Sequence, residues 1–301
     1  MTVPAQHMRD ALDRLVFFAI RRVEQALSPQ SLYQLVAPLG FARAVLERRT
    51  PVPGCFAKSI SRQTLRRARM SYLLSRVLEF FPDRLAMPKW QSRFQTSGLD
   101  QIQEARQKGR RVVLVCFHFG TFKLIPFWVR AMGVPVIALL RGNSEERSRV
   151  KRMKDQLSPF PEIPTVLYNH DQLRRLIGVL SAGYVVLLTA DRETGRQITL
   201  PVDSDWSFSM ATGAIRLASH YGAELFPCSM TDEGEWHFRL DIGRPVPREY
   251  LVNGPDLGRV AQHLLMELLP QIQKHPEQST GYLFNCFRPN RPSSLAEDSI
   301  R

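Results

Sequence analysis

The chain has 301 residues, 44% of them hydrophobic, and a formal net charge of +13. This length and apolar content exclude a small domain that depends on disulfides, and the four cysteines stand singly, in the pattern of neither a zinc site nor a disulfide scaffold. The positive charge favours an anionic partner, but no nucleic-acid-binding motif accompanies it, so we expect no nucleic-acid partner.

The first third of the chain, residues 1–97, is predicted to be a helical region. Apolar residues from Leu12 to Leu27 recur on one helix face and arginines lie on the other. This stretch could be an ordinary packing helix, or it could lie in a membrane interface. Ser28 before Pro29 is an N-cap candidate for a second helix, and a third is predicted from Leu65 to Phe81. The sequence shows neither a secretory signal nor a transmembrane segment.

From Gly98 onward, apolar strands alternate with amphipathic helices. This order predicts an α/β domain over residues 98–290, with a mostly parallel central sheet flanked by helices, and a flexible tail over residues 291–301. Strands are predicted at residues 112–117, 134–140, 165–168, 184–190, 225–230 and 236–241. Helices are predicted at residues 99–108, 145–157, 171–182, 210–221 and 255–274. Asp232-Glu233-Gly234 is the predicted turn between the last two strands.

Polar residues follow several of the predicted strands. His118 comes directly after the first strand, Arg141 after the second, and Asp191 with Arg192 after a later one. The carboxyl ends of parallel strands open onto the same crevice. A histidine oriented by a carboxylate can activate a hydroxyl, and guanidinium groups can hold a phosphate or a developing oxyanion. Each residue alone could be a cap or a surface ion pair, so this interpretation depends on their occurring together.

Other catalytic and cofactor signatures are absent from the sequence. The histidines show no close pairing at metal-ligand spacing. There is no Gly-rich phosphate loop, no dinucleotide fingerprint and no Gly-x-Ser-x-Gly elbow. We therefore predict neither a metal site nor a bound cofactor.

The run from His118 to Leu124, HFGTFKL, resembles the signature block of the lipid A biosynthesis (late) acyltransferase family, in which an acid follows a histidine by five residues. Further blocks resemble the family across nearly the whole chain: LRGN at residues 140–143, DRE at 191–193, ATGAIRLA at 211–218 and HPEQ at 275–278. The resemblance implies a glycerolipid acyltransferase-like fold and a membrane-associated enzyme of the wider lysophospholipid acyltransferase-like superfamily.

In that family the histidine is the general base, the acid orients it, and a fatty acyl chain moves from a thioester to a hydroxyl of a glycolipid. The resemblance therefore implies that His118 is the base. It also implies a set of substrate-binding candidates. One of them, Arg216, could instead be a structural side chain on an apolar helix. These candidates are Arg141, Asn143, Arg192, Thr212 and Arg216.

The implied co-substrate is acyl carrier protein or coenzyme A carrying the acyl chain, and the acceptor is a lipid, a glycolipid or a carrier-bound molecule. The basic helix at residues 145–157, which includes Arg147 and Lys154, offers a docking face for an acidic carrier protein. The amphipathic stretch near the start and the positive charge predict peripheral attachment to an anionic membrane surface. We expect the protein at the cytoplasmic face of a bacterial inner membrane, or in the cytoplasm.

The sequence departs from the family pattern at position 123, where Lys123 replaces the expected acid. A lysine cannot accept a hydrogen bond from the histidine ring, and its charge disfavours an imidazolium. Three explanations are open. Asp191 could supply the orienting carboxylate; Lys123 could serve a different acceptor or an oxyanion; or the chain could be a catalytically inactive homologue that binds lipid or acyl carrier protein in a biosynthetic assembly.

Overall fold

A seven-stranded sheet forms the centre of the α/β part of the chain. The computed structural model describes residues 19, 22–46, 53–57, 60–75, 77–78, 84–141, 165–168, 173–192 and 195–290. The strand order is β1-β9-β8-β2-β5-β3-β4, and every neighbouring pair is parallel except β8 and β9. These strands are β1 (Phe94–Ser97), β2 (Val112–Cys116), β3 (Val136–Arg141), β4 (Thr165–Tyr168), β5 (Val185–Thr189), β8 (Glu224–Gly234) and β9 (His237–Ile242). The predicted α/β architecture with a mostly parallel sheet is confirmed.

The central strand β2 is buried along its whole length. Its alternate side chains enter two different hydrophobic clusters: Val113 and Val115 on one face of the sheet, Val112 and Leu114 on the other. A strand covered on both faces needs no polar side, which explains the continuous apolar run in the sequence. Its polar successor, His118, lies beyond the last residue of the strand.

Helices cover both faces of the sheet. One of these helices, Leu257–Lys274, is capped by Asp256, whose carboxylate accepts a hydrogen bond from the Arg259 backbone N–H. In chain order, the α-helices are α1 (Pro29–Leu46), α2 (Gly54–Ala57), α3 (Arg62–Ser75), α4 (Pro88–Gln91), α5 (Leu99–Gln107), α6 (Ile125–Ala131), α7 (Leu173–Ser181), α8 (Gly213–Tyr221), α9 (Leu257–Lys274) and α10 (Gly281–Phe284). In the described parts of the chain, no helix is both long and apolar enough to cross a membrane.

The N-terminal helices agree in part with the sequence interpretation. The predicted cap at Ser28 is confirmed, because its hydroxyl accepts a hydrogen bond from the Ser31 backbone N–H at 3.1 Å. Helix α3 begins earlier than predicted, because the Ser61 hydroxyl caps it by accepting from the Thr64 N–H at 3.0 Å. It ends at Ser75, and Glu79 to Phe81 lie outside the described residues. Most of the amphipathic stretch, the basic helix at 145–157 and the tail at 291–301 lie outside them as well.

A second sheet was not predicted. It is antiparallel, with the strand order β10-β7-β6, where β6 is Gln197–Pro201, β7 is Trp206–Ala211 and β10 is Phe287–Pro289. The helix predicted from residue 210 therefore begins at Gly213 instead, since Met210 and Ala211 complete β7. Phe208 of β7 packs against Phe117 with ring centroids 5.1 Å apart, so the small sheet closes over the end of β2.

Two further details of the strands differ from the prediction. The turn between β8 and β9 is Glu235-Trp236, and both residues have positive φ angles, of 50° and 60°. Such left-handed pairs match the twist of a hairpin, and Trp236 is fully buried. The unpredicted strand β1 pairs with β9, so the sheet begins four residues before the Gly98 boundary. The division into a helical region and an α/β domain stays a prediction.

Candidate active site

The register of two neighbouring strands brings His118 to Asp191. Strands β2 and β5 are parallel, and Cys116 lies opposite Thr189 at their ends. His118 and Asp191 each lie two residues beyond this pair, so the two residues are at the same edge of the sheet. The His118 Nδ1 atom lies 2.8 Å from Asp191 Oδ1, and the two side chains are only 4% and 0% exposed.

The same carboxylate also holds the backbone of the loop. The His118 backbone N–H donates to Asp191 Oδ2 at 2.7 Å. Because a carboxylate accepts hydrogen bonds, the contact at Nδ1 places the ring hydrogen there and leaves the lone pair of the neutral ring on Nε2. The pair therefore has the geometry of a base that is oriented by an acid.

Lys123 lies in a 3₁₀ turn, Phe122–Leu124, that follows this loop. Its Nζ atom is 5.9 Å from the centroid of the Tyr72 ring. The histidine Nδ1 is already in contact with a carboxylate, that of Asp191. Of the three explanations for Lys123, the geometry favours a carboxylate supplied by Asp191.

Aromatic rings border the histidine. The ring of Phe122 meets that of His118 edge-on at 4.6 Å, and the ring of Tyr282 lies 5.1 Å away. The guanidinium of Arg192 lies 5.4 Å from the Tyr282 centroid, and its buried Nε has no hydrogen-bond partner among the described residues. Arg192 thus places a cationic side chain over Tyr282, which borders the histidine, and substrate binding by Arg192 stays a prediction. Tyr282 was missed, because no sequence signal links it to a histidine so distant in the chain.

The segment that follows helix α9 is hydrogen-bonded to the histidine loop, residues 117–121. The Thr280 N–H donates to the His118 carbonyl at 3.1 Å, and the Gly120 N–H donates to the Gln278 carbonyl at 3.0 Å. Gly120 has φ +55°, and a Cβ there would lie 2.0 Å from the Met230 carbonyl oxygen. Only glycine fits this position. The HFGT and HPEQ blocks of the sequence are therefore parts of one structural unit.

Thr212 and Arg216 bind each other. The Arg216 Nε donates to the Thr212 hydroxyl at 3.3 Å, and that hydroxyl donates to the Arg196 carbonyl at 3.1 Å. Arg216 is exposed. These contacts suit a structural role, and substrate binding by the two residues stays a prediction. Arg141 ends β3 at the same edge as His118, but its side chain and the whole of Asn143 lie outside the described residues.

The described residues contain no group of three or more His, Cys, Asp or Glu side chains that could hold a metal ion. Cys116 is buried, and the pKa of its thiol is raised well above the usual value by a contact with Cys228 and by burial. A protonated thiol is a poor metal ligand.

Comparisons with known proteins identify the family of the chain. The family model described as bacterial lipid A biosynthesis acyltransferase matches residues 58–283, which is most of the chain. Among solved structures, the 1-acyl-sn-glycerophosphate (LPA) acyltransferase PlsC from Thermotoga maritima is similar at 16% identity with a TM-score of 0.41. That match covers 91% of this chain and 98% of the other. No curated protein sequence matches the chain.

Proposed function

Because the chain belongs to the bacterial lipid A biosynthesis acyltransferase family and is an acyltransferase of lipid biosynthesis, we propose that His118 is the general base of its reaction. The acyl chain would pass from a thioester of acyl carrier protein or coenzyme A to a hydroxyl of a lipid, glycolipid or carrier-bound acceptor. The observation that carries this proposal is the buried 2.8 Å contact between His118 Nδ1 and Asp191 Oδ1.

His118 and Asp191 are sufficient for the proton transfers of the proposed reaction. The Nε2 of His118 takes the proton of the acceptor hydroxyl as its oxygen attacks the thioester carbonyl carbon. The tetrahedral intermediate collapses as the carbon–sulfur bond breaks, and the proton on Nε2 passes to the leaving sulfur. The products are an ester and a free thiol. Asp191 holds the Nδ1 hydrogen throughout and stabilises the positive ring between the two proton transfers.

We assign Arg192 to the developing oxyanion or to a substrate phosphate. Its unpartnered Nε and its position over Tyr282, which itself contacts the His118 ring, support this assignment. Arg141 at the end of β3 remains a further candidate for substrate binding. We assign no step to Lys123.

The alternative function is an inactive homologue that binds lipid or acyl carrier protein. This alternative assumes that the histidine has no carboxylate partner, because Lys123 stands where the family has an acid. The contact of the Asp191 carboxylate with Nδ1, made from the segment after β5, supports the catalytic proposal instead.

Peripheral attachment at the cytoplasmic face of a bacterial inner membrane, an acidic carrier protein as donor, and an anionic membrane surface as partner remain parts of this proposal. The net charge of +13 supports attraction to an acidic carrier or to anionic lipids.

Acyl transfer from radiolabelled acyl carrier protein, and separately from acyl-CoA, to a bacterial lipid extract tests the proposal. The wild type is expected to label a lipid, and His118→Ala to be slower by about 10²–10⁴-fold. His220→Ala, at an exposed histidine of α8, is the matched control and should keep the wild-type rate. Equal labelling by the wild type and His118→Ala would overturn the proposal.

A further inference from the structure

The proposed base is covered in this structure, although its Nε2 atom has to meet the hydroxyl of an acceptor. The His118 side chain is only 4% exposed. Its ring is bordered by Phe122, which is half-buried, and by Tyr282, whose ring centroid lies 5.1 Å away. Tyr282 is itself 58% exposed. Of the two rings that border the histidine in the described residues, the tyrosine is therefore the one that stands between it and solvent.

The backbone on both sides of Tyr282 is fixed. Helix α10 begins after Thr280, whose backbone N–H donates to the His118 carbonyl at 3.1 Å. Leu283 and Phe284, which follow the tyrosine, are 0% and 3% exposed and belong to the hydrophobic core. The tyrosine ring is thus the exposed part of an anchored segment. Because exposed side chains change rotamer rapidly, the ring can turn away from the histidine without any movement of the helix.

A charged side chain favours the covered arrangement. The guanidinium of Arg192 lies 5.4 Å from the centroid of the Tyr282 ring, within the range of a cation–π interaction. Arg192 directly follows Asp191, whose carboxylate is bound to the His118 ring. The segment after β5 therefore orients the histidine and also attracts the ring that covers it.

We propose that Tyr282 selects the nucleophile of the reaction: its ring keeps water from His118 Nε2 and is displaced when an acceptor binds. The inference rests on the proposed function, because it assigns the choice between acceptor and water to the same site. Binding contacts of the correct acceptor supply the free energy that moves the ring. Exclusion of water from an active site prevents hydrolysis of a reactive group, here the acyl thioester.

Hydrolysis would use the same atoms as acyl transfer. Nε2 would take a proton of water as the water oxygen attacks the thioester carbonyl carbon. The carbon–sulfur bond would then break, and the proton on Nε2 would pass to the leaving sulfur. The products would be a free fatty acid and a thiol, so the acyl chain would be lost without reaching an acceptor.

Modification of the full chain with diethyl pyrocarbonate tests the cover without turnover. The reagent attacks an unprotonated ring nitrogen, which in His118 is Nε2, and peptide mass spectrometry locates the product. Tyr282→Ala should speed the modification of His118 by about fivefold or more, and Tyr282→Phe should keep the slow wild-type rate because the ring remains. The exposed His220 is the internal reference and should react equally in all variants.

Two further variants complete the modification test. Tyr184→Ala, at an exposed tyrosine that precedes β5 at the opposite edge of the sheet, should change the His118 rate by less than about twofold. Tyr282→Leu, which keeps a smaller apolar side chain, should give an intermediate rate, so the inference stays testable if Tyr282→Ala fails to fold. Equal modification of His118 in the wild type and in the Ala and Leu variants of Tyr282 would overturn the inference.

Release of free fatty acid from acyl carrier protein or acyl-CoA, measured without an acceptor, tests the selection against water. Tyr282→Ala should raise this release by about fivefold or more, and Tyr282→Phe should leave it unchanged. Adding His118→Ala to Tyr282→Ala should remove the increase, because the same Nε2 activates the water. Unchanged release by Tyr282→Ala in a protein that transfers acyl chains would overturn the inference.

The outcomes for Tyr282 and for the proposed function are separate. Faster modification of His118 in Tyr282→Ala, without acyl transfer by the wild type, would keep the tyrosine as the cover of the histidine and reject the proposed function. Acyl transfer that depends on His118, with equal modification and equal hydrolysis in the wild type and Tyr282→Ala, would keep the proposed function and reject the inference.

Discussion

Asp191 accepts two hydrogen bonds from His118, one from the ring Nδ1 at 2.8 Å and one from the backbone N–H at 2.7 Å. One carboxylate therefore fixes both the orientation of the ring and the position of the loop that carries it. The two residues stand at the ends of adjacent parallel strands, so the core of the sheet sets the geometry of the pair.

Replacing Lys123 should have little effect on acyl transfer. Lys123→Gln is expected to keep at least about half of the wild-type rate, and Lys123→Glu to gain less than about twofold, because Asp191 already orients the histidine. Loss of the contact with Tyr72 should lower the free energy of unfolding by about 0.5–1 kcal/mol. Initial rates and urea unfolding measure the two effects. A tenfold gain for Lys123→Glu would mean that the histidine lacks an acid in the wild type.

Gly120 should tolerate no side chain. Gly120→Ala is expected to lower the free energy of unfolding by about 3 kcal/mol or more, because it combines a left-handed φ with a clash against the Met230 carbonyl. Gly133→Ala is the matched control, with φ +80° but open space around the new Cβ, and should lose only about 1 kcal/mol. Urea unfolding of both variants checks this. Equal losses would show that the close approach to Met230 is unimportant.

Cys55 should react slowly with alkylating reagents. Burial raises the pKa of its thiol to about 11. The thiol therefore stays protonated at neutral pH, and the rate of iodoacetamide alkylation should rise about tenfold per pH unit from pH 7 to pH 9.5 without levelling off. Peptide mass spectrometry locates the label, and Cys55→Ser is the control. A plateau near pH 9 would show an ordinary thiol at this position.

Asp232 should make stability depend on pH. Its pKa in the folded state is raised, chiefly by burial, so the folded protein holds this proton more tightly than the unfolded chain. The stabilisation from the bound proton is complete below the ordinary pKa near 3.9 and is lost as the pH rises through the elevated value. Asp232→Asn should therefore gain stability relative to the wild type between pH 4 and pH 7, as measured by urea unfolding. A difference between the two proteins that does not change with pH would contradict the assignment.

The main sheet and the central pair could be predicted from the sequence because their signals are local. Buried strands such as β2 are continuous apolar runs, and parallel strand ends share an edge, so His118 and Asp191 could be placed together before any coordinates. Strand β6 escaped prediction because only two apolar residues, Ile198 and Leu200, mark its alternation, and β10 because three residues are too few to show a period. The β8–β9 turn was misplaced because the apolar Trp236 suggested a strand, whereas tertiary packing holds it in a left-handed turn.

A cavity of about 880 Å³ beside the histidine loop, between helix α3 and the segment that follows α9, could not be predicted. Arg69, Thr121 and Ser279 come from segments far apart in the chain, and each residue type is common on protein surfaces. Only the packing of helix α3 against the loop brings these residues to the wall of one cavity.

A double-mutant cycle on initial rates of acyl transfer tests most directly whether His118 and Asp191 act as one unit. His118→Ala and Asp191→Asn are each expected to slow transfer by about 10²–10⁴-fold. Adding Asp191→Asn to His118→Ala should then slow transfer by less than about twofold, because the acid acts only through the histidine. A double variant that is slowed by the full product of the two single effects would contradict the account.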